Sequence, residues 1–382
     1  MNNDINKIVK FIRELYNTEE FIPLHAPTFL GNEKEYLNKC IDTTFVSYVG
    51  EFVTSFEKKI AEYTGAKFAV AMSSGTAALH LSLILAGTKP GDEIITQPLT
   101  FVATVNAIKH AQASPIFVDI DSDNLGMSPK ALKTFLEANA TVKNGACINK
   151  FTGKPIRAII PVHIYGHPCK IDQIIEIANE YSIKVIEDAA EALGSTYKKK
   201  SAGTFGNIGV LSFNGNKIIT SGGGGMILTD NEELANKAKH LSTTAKKPHP
   251  FEFYHDKVGY NYRLTNLNAA VGLAQLEKID EIIDNKRQTA EQYKAFFANS
   301  DFKFMDEPAN SKSNFWLNTI LAPNEKLRTD FLEYSNKNGI MTRPAWRLMN
   351  KLSIFKDYQK ADLSNAFSVE KRLINLPSSY RP

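Results

Sequence analysis

Apolar residues recur along this chain in two alternating rhythms. Ile5, Ile8, Val9, Ile12 and Leu15 stand at helical spacing, and Phe52, Phe56, Ile60 and Tyr63 do so again before Gly65. From there short apolar runs alternate with helical patterns. Residues 67–72 precede 76–86, 93–97 precede 101–111, 114–119 precede 129–138, and 156–165 precede 172–181. Runs at 184–187, 208–213 and 225–229 follow, the last leading into a helical pattern over 232–241. Strands alternating with helices predict an α/β fold, a mostly parallel sheet covered on both faces.

The rhythm changes near residue 242. Residues 243–256 are polar and carry Lys246, Lys247, Pro248 and Pro250, which predicts a surface loop or hinge. The helical pattern over 266–297 is too long for one crossover and suits a link between two lobes. Beyond it the spacing predicts a strand at 316–321, a helix at 327–338, a strand at 340–344 and a helix at 364–375, a smaller α+β unit. The expected division is a large domain at 1–245, including the N-terminal helical segment, and a small domain at 246–382.

Composition narrows the class. A chain of 382 residues has room for two to three packing units, and 45 basic against 41 acidic residues give a net charge of only +4. No sustained basic stripe marks a nucleic-acid groove. Hydrophobic residues at 43% and charged residues at 23% argue against disorder. No apolar run approaches the roughly 20 residues of a membrane span, and the first residues are no signal-peptide core. Three widely spaced cysteines form neither a disulfide framework nor a zinc set. The expectation is a soluble, cytoplasmic enzyme with no metal, membrane or nucleic-acid partner.

Ligands in open α/β sheets bind at the carboxyl ends of the strands. After the first run comes Ser73-Ser74-Gly75-Thr76, opening into a helix whose amides and dipole suit an anion. Ser74 could equally be only an N-cap. After the fifth run stands Glu187-Asp188-Ala189-Ala190-Glu191, where buried acids need a cationic partner or several donors, or else simply start a helix. After the sixth, Leu211-Ser212-Phe213-Asn214-Gly215-Asn216-Lys217 ends in a lysine framed by apolar and small residues. Desolvation there would free a nucleophilic amine, although a lone lysine is more often a solvated charge.

The order is more specific than its parts. A phosphate cradle, a strand-end aspartate and then Ser-x-x-x-x-Lys supply a phosphate anchor, a partner for a pyridinium nitrogen and an imine-forming lysine. Ser74-Gly75-Thr76-Ala77-Ala78-Leu79-His80, Glu187-Asp188-Ala189-Ala190, Ser212-Phe213-Asn214-Gly215-Asn216-Lys217 and Gly259-Tyr260-Asn261-Tyr262-Arg263 resemble the motif set of the DegT/StrS-type (DegT/DnrJ) nucleotide-sugar aminotransferases. The resemblance runs from about Ile22 to Asn375. It implies an aspartate-aminotransferase-like fold (fold type I) and pyridoxal 5′-phosphate, alternating with its pyridoxamine form. Lys217 would hold the cofactor and shuttle the proton, Asp188 would pair with the ring nitrogen, and Phe101 would stack on the ring. Ser74, Gly75, Thr76 and Ser212 would surround the phosphate. Asn261 would reach the cofactor phosphate of the neighbouring subunit, so that a homodimer shares its active sites.

The resemblance also implies a reaction. Glutamate would give its amine to a nucleotide-linked 4-keto-6-deoxy sugar, with surface-glycan or nonulosonic acid biosynthesis as the setting. Two positions depart from the commonest pattern. Glu191 stands where Gln or His is frequent, near the cofactor's phenolic oxygen, and a second anion there is repulsive unless protonated or paired. The glycine run Ser221-Gly222-Gly223-Gly224-Gly225 lacks an acid. With Thr342-Arg343-Pro344-Ala345-Trp346, these variants look most like the legionaminic acid and bacillosamine 4-aminotransferase branch, with a 2-acetamido substrate. Weaker candidates for substrate contact are His163, Arg343 and Trp346, each of which could instead be structural. Amination at the 3-position, or a non-catalytic binding protein on the same fold, are the rival readings.

Overall fold

In the computed structural model, which describes residues 3–381, the apolar runs become strands β1 (Phe68–Met72), β2 (Glu93–Thr96), β3 (Ser114–Phe117), β4 (Ile156–Ile160), β5 (Lys184–Asp188), β6 (Ile208–Ser212) and β7 (Gly225–Thr229). They form one sheet in the order β1-β7-β6-β5-β4-β2-β3. Strands β2 to β6 pair in parallel, and β7 runs antiparallel to both its neighbours. Every residue of β2 and β7 is buried, because helices cover both faces and leave no alternation to read.

Six helices build the surroundings of the sheet's carboxyl edge and the link to the C-terminal unit: α1 (Asn3–Tyr16), α2 (Glu51–Thr64), α3 (Gly75–Leu85), α4 (Val102–His110), α5 (Asn266–Leu276) and α6 (Ile279–Phe297). The single helix expected over 266–297 is broken at Glu277–Lys278. The break lets the two halves serve two cores. Helix α5 packs with Phe52, Phe56 and Phe213 beside the large sheet, and Gly272 fits there because a Cβ would lie 2.8 Å from the Phe56 ring. Helix α6 delivers Tyr293 and Phe297 to a core that also takes Ile5, Ile8 and Ile12 of α1. A cut at 245 is kept as a proposal about independent units; the cores themselves join α1 to the C-terminal unit and residues 264–283 to the large sheet.

The C-terminal unit holds a four-stranded antiparallel sheet of β8 (Lys303–Phe304), β9 (Asn318–Leu321), β10 (Arg343–Pro344) and β11 (Leu373–Leu376), in the order β8-β9-β11-β10. The helix expected over 364–375 stops at Glu370, and Leu373–Leu376 becomes an inner strand. A four-residue apolar run fits either period, so tertiary pairing decided it. The strand expected at 340–344 shrinks to Arg343–Pro344, with Ile340 bridging only to Ile22. A helix at Glu33–Asp42 was not expected, although Tyr36, Leu37, Cys40 and Ile41 stand at helical spacing there. A further core of Leu99, Val105, Tyr165, Trp316, Leu348 and Leu373 joins the carboxyl edge of the large sheet to the C-terminal unit. Phe56 is fully buried, with its ring 4.9 Å from Phe213. Phe56→Ala should therefore cost about 3–5 kcal/mol, read as a lowered chemical denaturation midpoint.

Candidate active site

The loop leaving β1 is shaped by buried charge. Arg263 donates through Nη2 to Glu57 Oε1 at 2.8 Å and through Nη1 to Ala71 O at 3.0 Å. Glu57 Oε1 also accepts from Ala71 N, and Ser73 N donates to Tyr262 O at 2.7 Å. Residues 259–263 thus clamp the turn that starts α3. Ser74 is the N-cap, its Oγ accepting from Ala77 N at 3.0 Å, while its carbonyl takes Ala78 N. The amides of Gly75 and Thr76 are left over at the lip of a cavity, where the helix dipole favours an anion. A Cβ on Gly75 would stand 3.0 Å from Ser212 Cβ, so glycine lets this backbone approach the Ser212 hydroxyl without crowding.

At the end of β5, successive side chains point to opposite faces of the sheet. Glu187 turns inward and accepts from His163 Nε2 and from the amides of Gly203, Phe205 and Gly206. His163 is spent as well, its Nδ1 accepting from Cys169 N at 3.0 Å. It is not among the residues that line the cavity. Asp188 faces the cavity instead. Its carboxylate accepts from Thr104 Oγ1 at 2.8 Å and from Ala190 N at 3.2 Å, and Thr104 meets Thr100 Oγ1 at 2.8 Å. Burial pushes the Asp188 carboxyl up from its ordinary value, against the pull of Thr104, Ala190 and the charge of Lys217.

Lys217 enters the same cavity from the turn after β6. Its Nζ lies 3.4 Å from Glu191 Oε1 and 4.1 Å from the centre of the Trp316 ring, with the side chain only 10% exposed. Glu191 Oε2 accepts from Tyr165 N at 2.7 Å, and burial raises its carboxyl as well. Tyr165 sits at φ 56°, in the turn where the strand expected to run to 165 has ended at Ile160. Its ring stacks on Trp346 at 5.3 Å. Two buried carboxyl groups here share one lysine, which leaves room for another positive charge at Asp188.

The cavity, of about 320 Å³, is lined by Ser74, Gly75, Thr76, Phe101, Asp188, Glu191, Ser212, Lys217 and Trp346 among the residues singled out in the sequence. Phe101 keeps 49% of its surface exposed there. Asn261 is exposed and is not part of this wall. Arg343 is also exposed, its guanidinium donating to Asn336 Oδ1 and Thr342 O on the edge strand β10 and not to the cavity. Thr104 and Trp316 were missed. Thr104 lies one helical turn beyond Phe101, a spacing that could have found it, whereas nothing local links Trp316 to Lys217. Among the described residues Lys286 is the one fully buried lysine, lowered to about 7 by burial, yet it donates to Ser378 O and does not line the cavity.

Residues 28–381 match the DegT/DnrJ/EryC1/StrS aminotransferase family. A GDP-perosamine synthase of Escherichia coli O157:H7 is 39% identical over 360 residues, covering 94% of this chain and 93% of that one. The chain belongs to the DegT/DnrJ/EryC1/StrS aminotransferase family. A GDP-perosamine synthase of Caulobacter vibrioides is 35% identical over 361 residues, covering 94% and 93% of the two chains. Among solved structures, PseC of Helicobacter pylori, an aminotransferase involved in the biosynthesis of pseudoaminic acid, superposes with a TM-score of 0.84 at 26% identity, covering 94% of each chain. Neighbours of this family share the α/β architecture with its large mixed sheet.

One consequence for this member of the family concerns Asp188 without ligand. A carboxyl whose folded pKa exceeds its unfolded value of about 3.9 binds more protons when folded, so stability falls as pH rises through that window. At neutral pH the cofactor-free Asp188→Asn chain should thus melt higher than wild type, by about 1–3 kcal/mol of unfolding free energy, while its affinity for pyridoxal phosphate drops.

Proposed function

We propose that the chain is a pyridoxal phosphate-dependent aminotransferase that converts a nucleotide-linked 4-keto-6-deoxy sugar to the 4-amino sugar, with glutamate as donor. The observation that carries this is the meeting of a buried carboxylate at Asp188, with no cation in hydrogen-bond reach, with the Lys217 amine in one cavity, beneath the leftover amides of α3. These residues fit the cofactor's three demands: an acid for the ring nitrogen, an amine for the aldehyde and donors for the phosphate. Bound there, pyridoxal phosphate supplies an electron sink for the electrons released when a substrate C–H bond breaks.

The chain's own residues do the rest. Asp188, braced by Thr104, keeps a proton on the ring nitrogen, since a neutral ring would leave its charge unpaired. The amides of Gly75 and Thr76, with the hydroxyls of Ser74 and Ser212, bind the phosphate. Phe101 covers one ring face. Lys217 Nζ carries the proton between the reacting carbons. Glu191, raised by burial, holds a proton or pairs with Lys217 and so avoids repulsion with a phenolic oxygen. Trp346 presents an aromatic wall to the sugar, and water is held off by the packed C-terminal unit. Arg343 and His163 have no part in this reading.

A second copy completes the site. Asn261 is exposed and absent from its own cavity, as a residue serving a neighbour would be. Exposed Phe29, Phe45, Val49, Phe251, Phe253 and Val258 offer an apolar surface for a homodimer. The relatives named for GDP-perosamine favour a GDP-linked substrate, whereas the likeness to an aminotransferase of pseudoaminic acid biosynthesis is in keeping with a nonulosonic acid setting.

Two experiments test these statements. Incubation with glutamate and a panel of GDP-, UDP- and dTDP-linked keto-sugars should give a 4-amino product from one class, seen by mass and NMR; a 3-amino product would replace the reading. Mixing inactive Lys217→Ala and Asn261→Ala chains should restore activity at about a quarter of wild type, as expected if random dimers carry one intact shared site in half of the mixed population. No recovery despite subunit exchange would remove Asn261 from the shared site.

A further inference from the structure

The Lys217 amine rests between two groups that are far apart in the sequence. On one side is Glu191 Oε1 at 3.4 Å; on the other is the face of Trp316, its centre 4.1 Å away. Trp316 is 2% exposed and doubly fixed. Its Nε1 donates to Asn216 O at 2.6 Å, the carbonyl of the peptide that leads into Lys217. Its backbone N donates to Asn314 Oδ1 at 2.8 Å, and Asn314 Nδ2 donates to Glu191 O and Leu193 O, both at 2.9 Å. The backbones of Trp316 and Glu191 are thereby tied to each other through Asn314, while the ring and the carboxylate meet at the lysine. Trp346 stacks beside the ring at 6.4 Å.

A ring face attracts a cation and ignores a neutral amine, and the attraction grows where water is excluded. A lysine side chain also has large rotamer freedom, which a receiving surface must restrict before a proton can be passed along one path. We propose that Trp316 is a positioning residue for the transamination chemistry, its π face receiving the Lys217 ammonium that forms once the released amine has taken the substrate proton. This rests on the role proposed for Lys217 as the cofactor's lysine. When the donor's Cα–H bond breaks, its electron pair passes into the bound cofactor and the proton forms the new N–H bond on Lys217 Nζ. The charge that appears on Nζ then lies against Trp316 and Glu191. An interaction present after the transfer and absent before it lowers the barrier and leaves ground-state binding alone.

Fluorinated tryptophan weakens the π face with almost no change of shape. The chain contains two tryptophans, so a Trp346→Phe background leaves the label at 316 alone. In the cofactor-free protein, the fluorine resonance of 5-fluorotryptophan at 316 should move when Lys217→Met removes the ammonium. In the loaded protein, single-turnover reaction with glutamate should slow about three- to tenfold with difluorotryptophan, as loss of a partly desolvated cation–π contact predicts. The isotope effect from α-deuterated glutamate should stay or rise, and the apparent KM for glutamate should hold within about twofold. A resonance that ignores Lys217→Met, a half-reaction indifferent to fluorination, or a change confined to KM would each overturn the proposal. A borohydride-reducible adduct of pyridoxal phosphate on a Lys217→Ala chain would instead defeat the reading of Lys217, which keeps the two failures apart.

Discussion

Asp188 is a carboxylate held out of water with a hydroxyl and an amide for company but no cation in hydrogen-bond reach. A buried charge in that state costs free energy, and the surroundings relieve it only in part, since its carboxyl stays raised by burial. A unit positive charge about 4 Å away at an effective dielectric of 20 returns roughly 4 kcal/mol. A cationic ring bound beside Asp188 would thus offset that cost. The same geometry accounts for Thr104, for the second layer in which Glu187 and His163 satisfy one another, and for the lysine held across the cavity by Glu191.

The sheet supplies this arrangement by its order. With β7 inserted antiparallel between β1 and β6, the turn after β1 and the turn after β6 lie close together, and Gly75 meets Ser212 without a side chain between them. The phosphate end of the site is thus made from residues more than a hundred positions apart. The C-terminal unit then closes the other side with Trp316 and Trp346. Its core is continuous with Leu99, Val105 and Tyr165 at the sheet edge, so this wall of the cavity is anchored on both units.

Much of this was legible in the residues. The seven strands of the large sheet fell within a few residues of their apolar runs, and the ordered motifs led to Ser74, Asp188, Ser212 and Lys217 because the chemistry demands those residue types at strand ends. What could not be read depended on contacts between distant segments. Leu373–Leu376 carried a run compatible with two periods, and only pairing with Asn318–Leu321 selected the strand. The pattern over 266–297 was continuously helical, yet the chain bends at Glu277 to serve two cores. Arg343 looked suited to a diphosphate, but it lies on an edge strand held by Asn336. His163 stood at a promising strand end and turned out to be committed to Glu187. The lysine's aromatic neighbour is ninety-nine positions along the chain, and no local spacing could announce it.

The most direct test is to reduce the loaded protein with borohydride and map the modified peptide by mass spectrometry. The account predicts a single adduct on Lys217, formed far less readily when Asp188 is replaced by Asn or Ala. An adduct on Lys286, the other lysine withdrawn from water, or one whose formation is indifferent to residue 188, would contradict it.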